Sequence, residues 1–89
     1  ALHKGNWQQV FSNSNPIYVE LGMGRGQFIT TNAHLHPSIN YIGVEKKNEV
    51  VLVAMQRALD LDTPAVNLRM LPTNISYISE LFAEGEIDT

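Results

Sequence analysis

The chain has no cysteine in its 89 residues, which excludes disulfides, zinc–thiolate sites and thiol catalysis and is compatible with a reducing compartment. Basic residues are also scarce: six Lys and Arg stand against nine Asp and Glu, for a formal net charge of -3. Nothing in the bulk charge provides a footprint for phosphate backbones. No stretch approaches the ~18 apolar residues of a membrane span, and Ala1–Asn6 lacks the apolar centre of a signal peptide. Charge is sparse at 17% and hydrophobic content is 44%, which is the balance of a globular chain and not of a disordered one. The expectation is one soluble, cytoplasmic domain with a modest core, since a chain of this size buries roughly 60–65% of its unfolded surface.

What is present alternates between helical and strand patterns. Trp7, Val10 and Phe11 fall on one face of a short helix, and Ser12-Asn13-Ser14-Asn15-Pro16 is a dense turn signal that ends it. Ile17–Leu21 reads as a strand apolar on both faces, as in a parallel sheet. Gly22–Gly26 is a turn, after which Phe28, Ile29, Ala33 and His36 share a helical stripe up to Pro37. Tyr41–Glu45 is a second strand. Asn48 is placed to cap a third helix carrying Val51, Met55, Ala58 and Leu59, and Asp62-Thr63-Pro64 is a stop. Asn67–Leu71 is a third strand. This is the βαβαβ half of a doubly wound α/β sheet, a three-layer Rossmann-like arrangement in which right-handed crossovers give the strand order 3-2-1. Strand 1 is then an apolar edge that needs a cover, and self-association is one way to supply it. Glu84-Gly85-Glu86-Ile87-Asp88-Thr89 reads as a turn and the opening of a fourth strand, so the chain is expected to be one domain, residues 1–89, cut at that strand.

The chemistry concentrates in Glu20-Leu21-Gly22-Met23-Gly24-Arg25-Gly26. Glycine admits left-handed backbone and lets a ligand approach without a Cβ in the way. A dinucleotide fingerprint needs its third glycine, or an alanine, one position later, where this chain has Gln27; no P-loop string occurs. A carboxylate at Glu20 is a poor neighbour for pyrophosphate and a good one for a cation. S-adenosylmethionine carries an ammonium and a sulfonium. Glu45, closing strand 2, is placed to accept hydrogen bonds from ribose hydroxyls, and Asn74, after strand 3, offers an acceptor and a donor to the adenine edge.

Together these residues resemble the bacterial tRNA (guanine-N7)-methyltransferase family, class I S-adenosylmethionine-dependent enzymes of Rossmann-like fold. The resemblance runs through Trp7 and Phe11, VELGMGRGQF at Val19–Phe28, INYIGVE at Ile39–Glu45 and ELFAEGEID at Glu80–Asp88. It implies a cofactor site formed by Glu20, Gly22, Gly24, Gly26, Glu45 and Asn74, with S-adenosyl-L-methionine as cofactor and tRNA as partner. Arg25 stands where lysine is usual in the family and Asn74 where many members have aspartate. The family's Asp-Pro-Trp-Pro-Lys-Lys segment, implicated in guanine handling and tRNA contact, is not among these residues, so tRNA contact is expected outside this chain, which alone is expected to be inactive. Attack by guanine N7, a lone pair bearing no proton, calls for no strong base, and no catalytic residue is assigned.

Plainer readings stand beside these. His34 and His36 diverge on a helix and read as a surface pair, so no metal ligand is assigned. Trp7 and Phe11 read as core and not as a nucleobase platform. Lys46-Lys47 reads as a solvated pair, and the Val51, Met55, Ala58, Leu59 stripe as core. Two other functions remain open on the residues alone: a nicotinamide-dependent oxidoreductase half-domain, against which Gln27 counts, and a non-catalytic Rossmann-like interaction module.

Overall fold

A computed structural model describes residues 4–60 and 66–88. In chain order the elements are helix α1 (Trp7–Phe11), strand β1 (Ile17–Leu21), helix α2 (Gln27–Leu35), strand β2 (Asn40–Glu45), helix α3 (Asn48–Leu59), strand β3 (Leu68–Pro72), a single 3-10 turn (Ile75–Tyr77) and helix α4 (Ile78–Leu81). The strands form one parallel sheet in the order β1-β2-β3, with Glu20 opposite Gly43 and Gly43 opposite Met70. This is the expected 3-2-1 arrangement, a partial Rossmann-like fold. β2 is apolar on both faces because it is central, and its residues Asn40 to Val44 are all buried. Pro72 closes β3 on an edge, where a missing N–H costs the sheet nothing.

Two apolar layers flank the sheet. On one face Ile29 and Ala33 of α2 and Val51 and Ala54 of α3 pack over Tyr41 and Leu68. On the other, Trp7 and Phe11 pack with Ile17, Ile42, Val44 and Phe82. Trp7 stacks on Phe82 with ring centroids 5.3 Å apart, and its Nε1–H donates to the Leu81 carbonyl at 2.7 Å. The pair Trp7 and Phe11 is core, as its spacing suggested.

Several local expectations are corrected. Val51 is buried as expected, but Met55 and Leu59 are exposed, at 44% and 73%, and Ala54 is buried instead. The cause is close approach to the glycine turn: a Cβ on Gly26 would lie 2.8 Å from the Ala54 Cβ, so α3 turns its small residues inward. Ala58 is only partly buried against the core. In α2, Phe28 is 66% exposed and His36 is exposed, because the inward arc is Ile29, Thr30 and Ala33. Asn48 is the first helical residue of α3 and not its cap; Lys47 occupies that position without a side-chain bond. Asp62-Thr63-Pro64 lies outside the described residues. β3 begins one residue later than expected because Asn67 is a clamp: its Nδ2 is shared among the carbonyls of Ala33, His36 and Ile39 at 2.8–3.1 Å, tying down the end of α2. Glu86–Asp88 forms no strand, yet Asp88 N–H donates to the Ile17 carbonyl and Ile17 N–H to Asp88 Oδ2, both at 2.8 Å, on the free side of β1.

Candidate functional site

The six residues singled out in the sequence all stand at or just beyond the carboxyl ends of the three strands, where open α/β sheets bind ligands. The turn after β1 is shaped by β2. Gly22 N–H and Met23 N–H both donate to the Val44 carbonyl, at 2.7 and 3.0 Å. The Met23 side chain, 5% exposed, folds over Gly43. A Cβ at residue 43 would overlap the Met23 sulfur and come within 3.0 Å of Ile29 Cδ1, so the glycine of YIGVE is the seat of the turn's one buried side chain. This pairing was not read from the sequence; a glycine inside an otherwise β-branched strand was the available signal.

Gly22, Gly24 and Gly26 all have positive φ, at 70, 58 and 75°, but they differ in surroundings. Gly26 is packed against Ala54, whereas a Cβ on Gly24 would meet nothing within 4 Å. Gly26 therefore serves packing of the turn on α3, and Gly24 leaves open space above the turn. Arg57 Nε–H donates to the Arg25 carbonyl at 3.2 Å, holding the turn from the α3 side.

Glu45 touches the turn directly. Its Oε1 accepts from Gly24 N–H at 3.1 Å and its Oε2 from Lys47 N–H at 3.2 Å. The Lys47 N–H bond is the leading influence on its acidity; together with the Gly24 and Lys46 N–H groups and the Lys47 charge it outweighs partial desolvation and holds the carboxyl below its usual range. Each carboxylate oxygen still has a lone pair to offer. The structure thus gives Glu45 a fixing role in addition to the ligand role expected for it.

Glu20 is different. Its Oε1 is buried with no hydrogen-bond partner, and burial pushes its carboxyl above the usual range. A carboxylate left so is costly, and the cost is relieved by a cationic or hydrogen-donating ligand. Glu20 also lines a groove of about 440 Å³ that runs beside β1 and α2 between Tyr18, Phe28, Asn32 and Tyr41 and is otherwise largely apolar. Asn74 is exposed after β3, joined to the rest through Thr73, whose N–H donates to the Glu45 carbonyl at 3.1 Å. Its Oδ1 accepts from Ser76 N–H at 3.0 Å, capping the 3-10 turn. The Asn-x-Ser spacing was the signal for that cap. His34 and His36 are exposed on α2 and its end; among the described residues no group of three His, Cys, Asp or Glu is placed to hold a metal. No helix among them is long and apolar enough to cross a membrane.

Residues 14–89 match the model of a family described as "Putative methyltransferase". The chain belongs to this methyltransferase family. Membership implies a methyl donor. Three relatives, each named tRNA (guanine-N(7)-)-methyltransferase, illustrate the likeness. The protein of Brevibacillus brevis is 51% identical over 86 residues, 97% of this chain and 39% of its own length. That of Listeria welshimeri is 45% identical over 84 residues, 94% of this chain and 38% of its own. That of Bacillus licheniformis is 41% identical over 88 residues, 99% and 40% respectively. The chain therefore spans about two fifths of the length of the curated relatives it matches.

Proposed function

We propose that the protein to which this chain belongs transfers a methyl group from S-adenosylmethionine to N7 of a guanine in tRNA, and that residues 1–89 form a single cofactor-binding unit of it. The observation that carries the cofactor is the buried, unpartnered Oε1 of Glu20 beside the glycine turn. A negative group held without a partner at the end of β1 matches a ligand with a positive centre, and argues against a dinucleotide, whose pyrophosphate it would repel. The names of the relatives carry the substrate.

In this reading Glu20 receives the cationic methionyl end, Gly22, Gly24 and Gly26 present backbone around it, Glu45 accepts from the ribose, and Asn74 meets the adenine edge with its amide, whose Oδ1 keeps a second lone pair beside its cap for the adenine amino group. S-adenosylmethionine supplies an electrophilic methyl carbon on a sulfonium centre. The residues of this chain bind and orient. Guanine N7 carries no proton, so no general base is required, and alignment at about 3–3.5 Å accounts for much of the acceleration. The Glu45 bridge between Gly24 and Lys47 makes that alignment rigid, since ribose and methionyl contacts then share one fixed carboxylate.

The direct test incubates the full-length protein with methyl-labelled S-adenosylmethionine and tRNA, followed by chain scission specific for N7-methylguanosine. Label at one guanine is the expected result. Label on another atom, or turnover of NADH in its place, would sink the assignment.

A further inference from the structure

The net charge of -3 conceals a separation of charge. Of the six cationic residues, Arg69 is engaged on the α1 face, with its guanidinium 4.9 Å from the Phe11 ring centroid and bonds to the Val10, Val66 and Leu68 carbonyls. Lys4 lies beside α4. The other four, Arg25, Lys46, Lys47 and Arg57, are exposed around the glycine turn. They are linked through short contacts: Arg57 Nε to the Arg25 carbonyl at 3.2 Å, then across Gly24, whose N–H reaches Glu45 Oε1 at 3.1 Å, to Lys47 N–H on Glu45 Oε2 at 3.2 Å. None of the four holds a carboxylate at ion-pair distance among the described residues, although the Lys47 charge acts on Glu45. Of the acids nearby, Glu45 is occupied by backbone donors, Asp60 accepts from Gln56 Nε2 at 2.9 Å and Glu20 has its Oε1 buried at the end of β1; Glu49, in the first turn of α3, is the exposed one left. Glu84, Glu86 and Asp88 gather at the opposite end, where Asp88 meets Ile17 and Glu86 meets Gly5 and Trp7.

We infer that Arg25, Lys46, Lys47 and Arg57 form a rim that contacts the phosphate backbone of the RNA substrate, so that the cofactor unit itself helps to dock the nucleic acid over the bound methyl donor. The inference rests on the functional reading above and adds a contact surface to it. Lys47 and Arg57 lie at opposite ends of α3, separated by roughly 15 Å at 1.5 Å per residue, which is long enough to face several phosphates of one strand. Exposed cations gathered beside a turn that binds a neutral or cationic ligand are in excess of what holds the turn, and a polyanion is the partner that complements them. The acidic opposite end disfavours the reverse orientation.

The test measures tRNA binding by anisotropy across about 50–200 mM salt, with full-length wild type, Lys46→Gln/Lys47→Gln, the same pair with Arg25→Gln, and Lys4→Gln as control. Removal of three phosphate contacts is expected to make the slope of log K against log salt shallower by about 2 and to weaken binding about 10–100-fold at the low-salt end. S-adenosylhomocysteine affinity is measured beside it in every variant, and Lys4→Gln leaves the slope and the tRNA affinity unchanged. If Arg25→Gln lowers S-adenosylhomocysteine affinity, the turn itself has been disturbed, and the lysine pair carries the test with a slope change of about 1. Wild-type slope and affinity in the lysine pair overturn the inference while leaving tRNA methylation standing. Failure of the wild type to bind or methylate tRNA overturns both.

Discussion

Replacing Glu20 by glutamine is expected to stabilise the ligand-free protein and weaken the cofactor, two effects of opposite sign from one atom. In the free state Oε1 is buried without a partner and the carboxyl is held above its usual value of 4.5 by burial. A buried, unsatisfied polar group costs about 1–3 kcal/mol. Because the rest of this carboxyl is partly solvated, the lower end applies, about 1 kcal/mol. That corresponds to a rise in Tm of about 2–4 °C in a protein of 150–250 residues. Since the folded state holds the proton more tightly than the unfolded chain, the penalty is absent below the ordinary pKa of 4.5 and complete once pH has passed the raised value. The Tm advantage of Glu20→Gln should therefore be present at pH 7 and vanish as pH falls through the carboxylate range. In the bound state the wild-type carboxylate gains a charge-assisted bond worth about 1.5–3 kcal/mol, so the variant should bind S-adenosylhomocysteine about 10–100-fold more weakly. Calorimetry with this ligand and differential scanning calorimetry across pH read both halves. A variant with wild-type affinity and a lower Tm at neutral pH would refute the reasoning.

Three further outcomes follow from the geometry. Gly43→Ala should cost about 1–3 kcal/mol through overpacking against Met23 and Ile29, and also weaken S-adenosylhomocysteine because the turn must shift; thermal melting and calorimetry separate the two, and loss of stability with unchanged affinity would show that the turn is anchored elsewhere. Asn74→Asp should leave Tm unchanged, since asparagine and aspartate cap equally well, and tighten S-adenosylhomocysteine several-fold by offering a charged acceptor to the adenine amino group; a drop in affinity would remove Asn74 from the site. Burial alone would push the Glu86 carboxyl above its usual range, but N–H donors from Ala83, Trp7 and Gly5 outweigh it and hold the carboxyl below that range. Its contribution is thus present above pH 4.5 and lost as pH falls through the depressed value; Glu86→Gln should lower Tm at pH 7 and flatten the acid limb of the stability profile, and an unaltered acid limb would count against it.

The strands and the turn were legible because their signals are local. Pro16, a β-branched run and three spaced glycines mark β1 and its end in any context, and Pro37 marks the end of α2. The rotation of α3 was not legible, because Met55 and Leu59 satisfy helical periodicity as well as Val51 and Ala54 do. What decides is the space at Gly26, where only a small residue on α3 fits. The site shows the same division. Residue types and spacing pointed to Glu20, Glu45 and Asn74, but what holds each is only partly local: Glu45 is tied across the sheet to Gly24, Asn74 is spent in part on Ser76 two residues on, and of the three only Glu20 keeps a buried oxygen unpartnered. A composition of net negative charge likewise pointed away from nucleic acid, since a total carries no information about which end of the sheet each charge occupies.

The packing around Trp7 sets an order of events during synthesis. Its indole N–H bonds to a carbonyl 74 residues later, and its backbone N–H to a carboxylate 79 residues later. At about 5–20 residues per second, a ribosome makes those partners roughly 4–15 s after the tryptophan. The sheet and its α2 and α3 layer involve shorter separations and are free to form first, while α1, only five residues long, is too short to hold its helix alone. α1 is therefore a late clasp, closed when residues 81–86 emerge. As Trp7 is the sole tryptophan, its fluorescence reports the closing of the clasp and not the formation of the sheet, and in refolding it should trail the far-ultraviolet dichroism signal.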